Sequence, residues 1–160
     1  MWKSILPFFQ WSDNLWIGHA IGATTWAFPL IETIHILAMA VMYAAMIVVD
    51  LRLLGMGLKK PSVSQLAKSM NPYMDWGLIV MLITGFLLFT SEALKAYAND
   101  GFRFKVVVLV PAMLFQYTLF RWVVRQDDER RSAPLGWAVS VLSTMLWVGV
   151  GVGGRAIGFV

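Results

Sequence analysis

Four long, predominantly apolar stretches of this sequence carry no charged residue, and that feature decides most of what the chain can fold into. Thr33 to Val49 is 17 residues, Trp76 to Ser91 is 16, Val106 to Phe120 is 15 and Ser132 to Gly154 is 23. A helix crossing the hydrocarbon core of a bilayer needs about 20 predominantly apolar residues. The first run reaches this length with the apolar residues back to Leu30, and the fourth reaches it outright. The second and third reach it when the long stems of Lys95, Lys105, Arg121 and Arg125 lie along the helix ends and carry their charges to the interface. The runs are continuously apolar, without the period-two alternation of a membrane strand, which excludes a β-barrel.

Composition closes off the soluble alternatives. Hydrophobic residues make up 59% of the 160 and charged residues 14%, against about 45–50% and 25% in a soluble domain. A soluble fold of this size leaves about 30% of its unfolded surface exposed, too much for so apolar a chain. An ordinary soluble enzyme and a disordered tail are excluded. The net charge is +4, but the Lys and Arg residues sit between apolar runs instead of forming one stripe, so no nucleic-acid partner is expected. The absence of cysteine removes disulfides, iron–sulfur clusters and thiolate metal sites.

The expected fold is therefore all-α: one integral membrane domain over 1–160, a four-transmembrane-helix bundle with helices at about 29–54, 72–95, 103–125 and 134–157. Residues 1–28 alternate irregularly between Trp, Phe, Leu and Ile on one hand and Lys3, Ser12, Asp13 and Asn14 on the other. They lack a small-residue cleavage site and read as an amphipathic segment lying in the interface. The loops after helices one and three hold eight Lys and Arg, the other side five. The positive-inside rule then puts both termini outside the cytoplasm, in a multi-pass protein of the plasma membrane.

Polar residues within the spans are the candidate site. Glu32 and His35 stand at i, i+3 on one face of helix one. The topology gathers His19, Glu92, Lys95, Arg103, Lys105 and Arg155 at the same membrane side. Glu32, His35, Glu92 and Arg155 are expected to converge there, with His19 above and Glu32 or Glu92 paired to Arg155 or Lys95. Asp50 and Arg52 read as interfacial charges closing helix one, Asp75 as a carboxylate at the start of helix two, and Gln116 as an interhelical hydrogen-bonding residue. Gly149-x-x-x-Gly153 and Gly154-x-x-x-Gly158 have the small-residue spacing of close helix packing, a candidate surface for a homo-oligomer and also room for a flat cofactor.

Several stretches carry a resemblance: Trp26-Ala-Phe-Pro-Leu-Ile-Glu-Thr-Ile-His35, Val49-Asp-Leu-Arg-Leu-Leu-Gly55, Leu82-Ile-Thr-Gly-Phe-Leu-Leu-Phe-Thr-Ser-Glu-Ala93, Phe102-Arg-Phe-Lys105 and Gly154-Arg-Ala-Ile-Gly-Phe159. They resemble an uncharacterised bacterial family of small four-span membrane proteins, a domain of unknown function. The resemblance covers nearly the whole chain and implies topology and a bacterial inner membrane, not an activity. Its matching polar positions are Glu32, His35, Asp50, Arg52, Glu92, Lys95, Arg103, Lys105 and Arg155; Ala156 stands where the family usually has an aromatic. A looser similarity, a His early in an apolar first helix that ends Leu-Arg-Leu, links the chain to small four-helix membrane haemoproteins of the protoporphyrinogen-oxidase and copper-resistance types.

Three functional classes stay open. In the first, haem b sits between helices for electron transfer or haem handling. His35 is then the axial ligand, with His19 or a Met opposite, and Arg103, Lys105 and Arg155 meet the propionates; a redox partner or a quinone would exchange electrons with it. In the second, Glu32, His35, Glu92 and His19 hold a non-haem transition metal, Glu-x-x-His being half of a di-iron signature. In the third, the chain is a non-catalytic subunit or assembly factor in the lipid bilayer and the polar cluster is structural.

Overall fold

The computed structural model describes residues 2–56, 60–126 and 132–159, and among them there is no strand. Lys59, Arg130 and Arg131, which contribute to the charge asymmetry, lie outside the described residues. Two short helices, α1 (Leu6–Asp13) and α2 (Trp16–Ala23), precede α3 (Ala27–Leu53), α4 (Val63–Ser91), α5 (Ala93–Ala98), α6 (Asp100–Phe115), α7 (Arg121–Val124) and α8 (Ala133–Ala156). A π turn, Gln116–Phe120, joins α6 to α7. Four helical stretches are long and apolar enough to cross a membrane: Ala27–Leu53, Val63–Ser91, Asp100–Val124 and Ala133–Ala156.

The second span begins at Val63, earlier than the Asn71-Pro72 boundary suggests. A capping box holds its start: Ser62 Oγ accepts the Gln65 amide at 3.2 Å, and Gln65 Oε1 accepts the Ser62 amide at 3.3 Å, which satisfies two otherwise orphaned donors. Pro72 falls inside the helix; it removes one hydrogen bond without ending the run. At 29 residues α4 is about 43 Å long, so its first turns project beyond a hydrocarbon core about 30 Å thick. Its far end is set by Glu92, whose φ of −141° leaves the helical region.

Lipid is as apolar as a leucine side chain, so packing and close approach, not water exclusion, hold such helices together. The small residues mark where. A Cβ on Gly77 would lie 2.8 Å from Met42 Cβ, and one on Gly85 3.2 Å from His35 Cε1; both pin α3 to α4. A Cβ on Gly153 would meet Phe104 at 2.9 Å and Lys105 at 3.1 Å, and one on Gly149 would meet Val108 at 3.3 Å; both pin α8 to the third span. Gly151 faces Tyr43, whose hydroxyl donates to the Trp147 carbonyl at 2.6 Å. The glycines of the fourth span from 149 to 154 thus pack within the chain.

The bundle consists of two helix pairs, α3 with α4 and α6 with α8, joined along α3 and α8 and, at the end carrying the long loops, by α4 and α7. The opposite end, where both termini lie, is joined differently. There α4 and α6 meet through the stacked rings of Phe89 and Phe102, 5.5 Å apart. Phe9 of α1 is buried edge-on against Phe89 at 5.3 Å and Tyr97 at 5.2 Å. α2 lies on α4 where Gly18 approaches the Thr90 carbonyl. The outer surface of this segment carries Trp11, Trp16 and Trp26, all exposed, an aromatic belt suited to the headgroup level.

Candidate functional site

His35 lies about two turns into α3, on the face that continues through Met42, Met46, Val49 and Leu53 into the core. Its ring is half-buried and packs over Gly85, the position on α4 where a side chain would displace it. Nδ1 is 2.9 Å from Thr84 Oγ1. The Thr84 hydroxyl has one proton, and it donates to the Val80 carbonyl one turn back at 2.7 Å. With that proton on Val80, Thr84 acts toward the imidazole as acceptor, an arrangement that has the proton on Nδ1 and the lone pair on Nε2; the Met81 carbonyl also engages the ring. A threonine fixed in this way orients the ring as an acceptor does behind a metal-bound histidine.

Lys105 approaches the same region from the third span. It is half-buried along the glycine face of α8, with Nζ 3.6 Å from the position of a Gly154 Cβ, and its charge bears on His35. Among the described residues no acceptor engages its ammonium group. A cation held between helices without an acceptor is a place for an acidic or carbonyl group.

The other expected site residues lie nearer the surface. Glu32 is exposed and makes no hydrogen bond or ion pair among the described residues. Glu92 accepts from Lys95 Nζ at 2.6 Å in an exposed i, i+3 pair. The hydrogen bond and charge of Glu92 hold the Lys95 ammonium above its ordinary pKa. Arg103 folds back on α5: its Nε and Nη2 donate to the Tyr97 carbonyl at 3.2 and 2.8 Å, and Nη1 to Asp100 at 3.1 Å. His19 on α2 and Arg155 in the last turn of α8 are exposed. Among the described residues no three His, Asp or Glu side chains form a group able to hold a metal ion.

Three further polar groups stand between the helices, one of them where sequence reasoning placed it. Asp50, read as an interfacial charge, is 2% exposed and faces Ser140, Ser143 and Thr144 of α8. The i, i+3, i+4 spacing of those three hydroxyls on one helix face was the signal for it. Asp75 lies more than three turns inside α4, paired with Arg121 and accepting from the Tyr117 hydroxyl at 2.9 Å. Gln116, at the start of the π turn, is buried as an interhelical residue: Nε2 donates to Met74 Sδ at 3.5 Å, and Oε1 accepts from Trp147 Nε1 at 3.4 Å. Such π turns recur at functional sites. Here the turn borders a small void lined by Met42, Met46, Met74, Leu78, Gln116, Tyr117 and Trp147.

Comparison with known proteins identifies a family but no activity. The chain belongs to DUF6644, a family of unknown function whose model matches residues 8–160. No curated protein and no solved structure matches it.

Proposed function

We propose that this member of DUF6644 is a redox or haem-handling protein of the bacterial plasma membrane in which His35 offers Nε2 as the axial ligand of haem b. The observation that carries the reading is the contact of His35 Nδ1 with Thr84 Oγ1 at 2.9 Å, where Thr84 Oγ1 also donates to the Val80 carbonyl at 2.7 Å. It leaves a neutral, oriented nitrogen donor inside a bilayer. Lys105, half-buried and without an acceptor among the described residues, suits a propionate. Arg103 is taken up by Tyr97 and Asp100, so Lys105 is the cation for that role. The eight-to-five Lys and Arg distribution favours both termini, and this site, on the outer side. From there a quinone or a protein partner would exchange electrons with it.

The test is an absorption spectrum with metal analysis on detergent-purified protein. The reading predicts a Soret band and iron in the wild type, both lost in His35→Ala, and a weakened band in Lys105→Ala. A colourless, metal-free preparation that takes up no added haem and co-purifies with another membrane protein would refute it and favour a subunit role.

A further inference from the structure

The loop end of the bundle holds a second polar cluster that the His35 reading does not use. Asp50 is 2% exposed and Ser140 and Ser143 are fully buried. Ser140 Oγ donates to the Asp50 backbone carbonyl at 2.9 Å, and Thr144 Oγ1 to Asp50 Oδ2 at 3.3 Å. Among the described residues, the other carboxylate oxygen, Oδ1, and the Ser143 hydroxyl are buried without a hydrogen bond of ordinary geometry, although Ser143 faces the carboxylate. Surrounding lipid offers neither of them a hydrogen bond.

The described charged and titratable groups of the neighbouring elements have partners of their own or lie at the surface. Arg52 donates to the Pro61 carbonyl, Arg121 pairs with Asp75, and Tyr43 donates to Trp147. Lys68 and Arg125 are exposed, and α8 turns only hydroxyls to the carboxylate. Among the described residues no counter-charge thus faces this buried carboxylate, an arrangement that persists only when something neutralises it. The available donors are all hard oxygens, with no nitrogen or sulfur among them, which suits a small hard cation and not a transition metal. A single negative charge calls for a monovalent one.

We propose that Asp50, Ser143 and Thr144 form an intramembrane site for one small monovalent cation, taken either as a proton on Oδ1 or as a sodium-sized ion between Oδ1 and the Ser143 hydroxyl. One such cation satisfies both orphaned oxygens together: an Oδ1–H group donates to Ser143, and a bound ion accepts lone pairs from both. Asp50 lies within one turn of the end of α3, which places exchange on the loop side of the membrane, away from His35.

Full-length protein in lipid nanodiscs tests this in two arms. Thermal unfolding, followed by tryptophan fluorescence, is measured while sodium chloride replaces N-methylglucamine chloride at constant ionic strength. Infrared difference spectra are recorded against pH without sodium. A saturable rise of Tm with sodium that Asp50→Asn abolishes supports the ion. A carboxylic-acid carbonyl band that Asp50→Asn removes supports the proton. Ser143→Ala, which keeps the carboxylate, is expected to raise the half-saturating sodium concentration several-fold or to shift the carbonyl band. The proposal is overturned if sodium and pH affect wild type and Asp50→Asn alike with no band lost. Should Asp50→Asn fail to fold, an unchanged sodium midpoint and an unchanged band in Ser143→Ala overturn it.

Discussion

Gly18 and Gly22 lie one turn apart on α2, and the structure assigns them opposite tolerances. A Cβ on Gly18 would stand 2.8 Å from the Thr90 carbonyl carbon, with the carbonyl oxygen nearer still. Real Cβ atoms keep beyond 3.0 Å, and the obstruction is backbone, which cannot rotate away as a side chain can. A Cβ on Gly22 would meet nothing within 4 Å. Gly→Ala gains about 1 kcal/mol of helix propensity at either position. At Gly22 nothing opposes that gain, so Gly22→Ala should leave α2 unchanged or stabilise it by up to about 1 kcal/mol. At Gly18 overpacking costs about 1–3 kcal/mol, and undocking of α2 also gives up the buried contacts of Ile21. Gly18→Ala should therefore loosen α2 from α4 by up to about 2 kcal/mol net. Hydrogen exchange of residues 16–23 in nanodiscs reads this directly, as faster exchange in Gly18→Ala and slower or equal exchange in Gly22→Ala. Equal responses from the two variants would mean that α2 does not rest on Thr90 and that the docking described is wrong.

Three further outcomes are expected. Replacing Gln116 by Leu removes its bonds to Met74 and Trp147; interhelical hydrogen bonds in membranes contribute about 0.6 kcal/mol on average and up to about 1.7, so unfolding in mixed micelles should show a loss of about 1 kcal/mol. A double-mutant cycle on Asp75 and Arg121, which pair across α4 and α7, should return a coupling near 1 kcal/mol; a value indistinguishable from zero would place the pair in lipid headgroups instead. The Glu92–Lys95 pair is exposed, and Glu92 raises the Lys95 pKa. A raised lysine contributes stability below its unfolded pKa of about 10.4 and loses it as pH climbs through the folded value. The stability difference between wild type and Glu92→Gln should hence stay flat from about pH 6 to 8 and shrink only in strong alkali, as chemical denaturation across pH will show.

The spans were legible in the sequence because charge is so costly in hydrocarbon that uncharged runs mark them almost unaided. The start of the second span was not, since Asn71-Pro72 looks like a boundary while the capping box at Ser62 and Gln65 carries the helix on through the proline. His35 was legible as a polar residue with no place facing lipid, but its partner was not. Glu32 stands one turn away in sequence, yet the bond goes to Thr84, 49 positions on, whose neighbour Gly85 makes room for the ring. Asp50 was misplaced for a related reason: a carboxylate three residues from a helix end looks interfacial until Ser140, Ser143 and Thr144 are seen to face it. Gly149 to Gly154 announced close packing, and only the fold shows that Val108, Tyr43, Phe104 and Lys105 fill that face.

The central claim is that His35 presents an unprotonated, oriented Nε2 inside the membrane. Nitrogen-15 NMR of histidine-labelled protein, with His35 assigned through its loss in His35→Ala, reports the tautomer directly. The account predicts a proton on Nδ1 and none on Nε2 in the wild type, and a mixture of tautomers in Thr84→Val. A protonated Nε2, with Nδ1 accepting from Thr84, would contradict it and leave His35 without a ligand role.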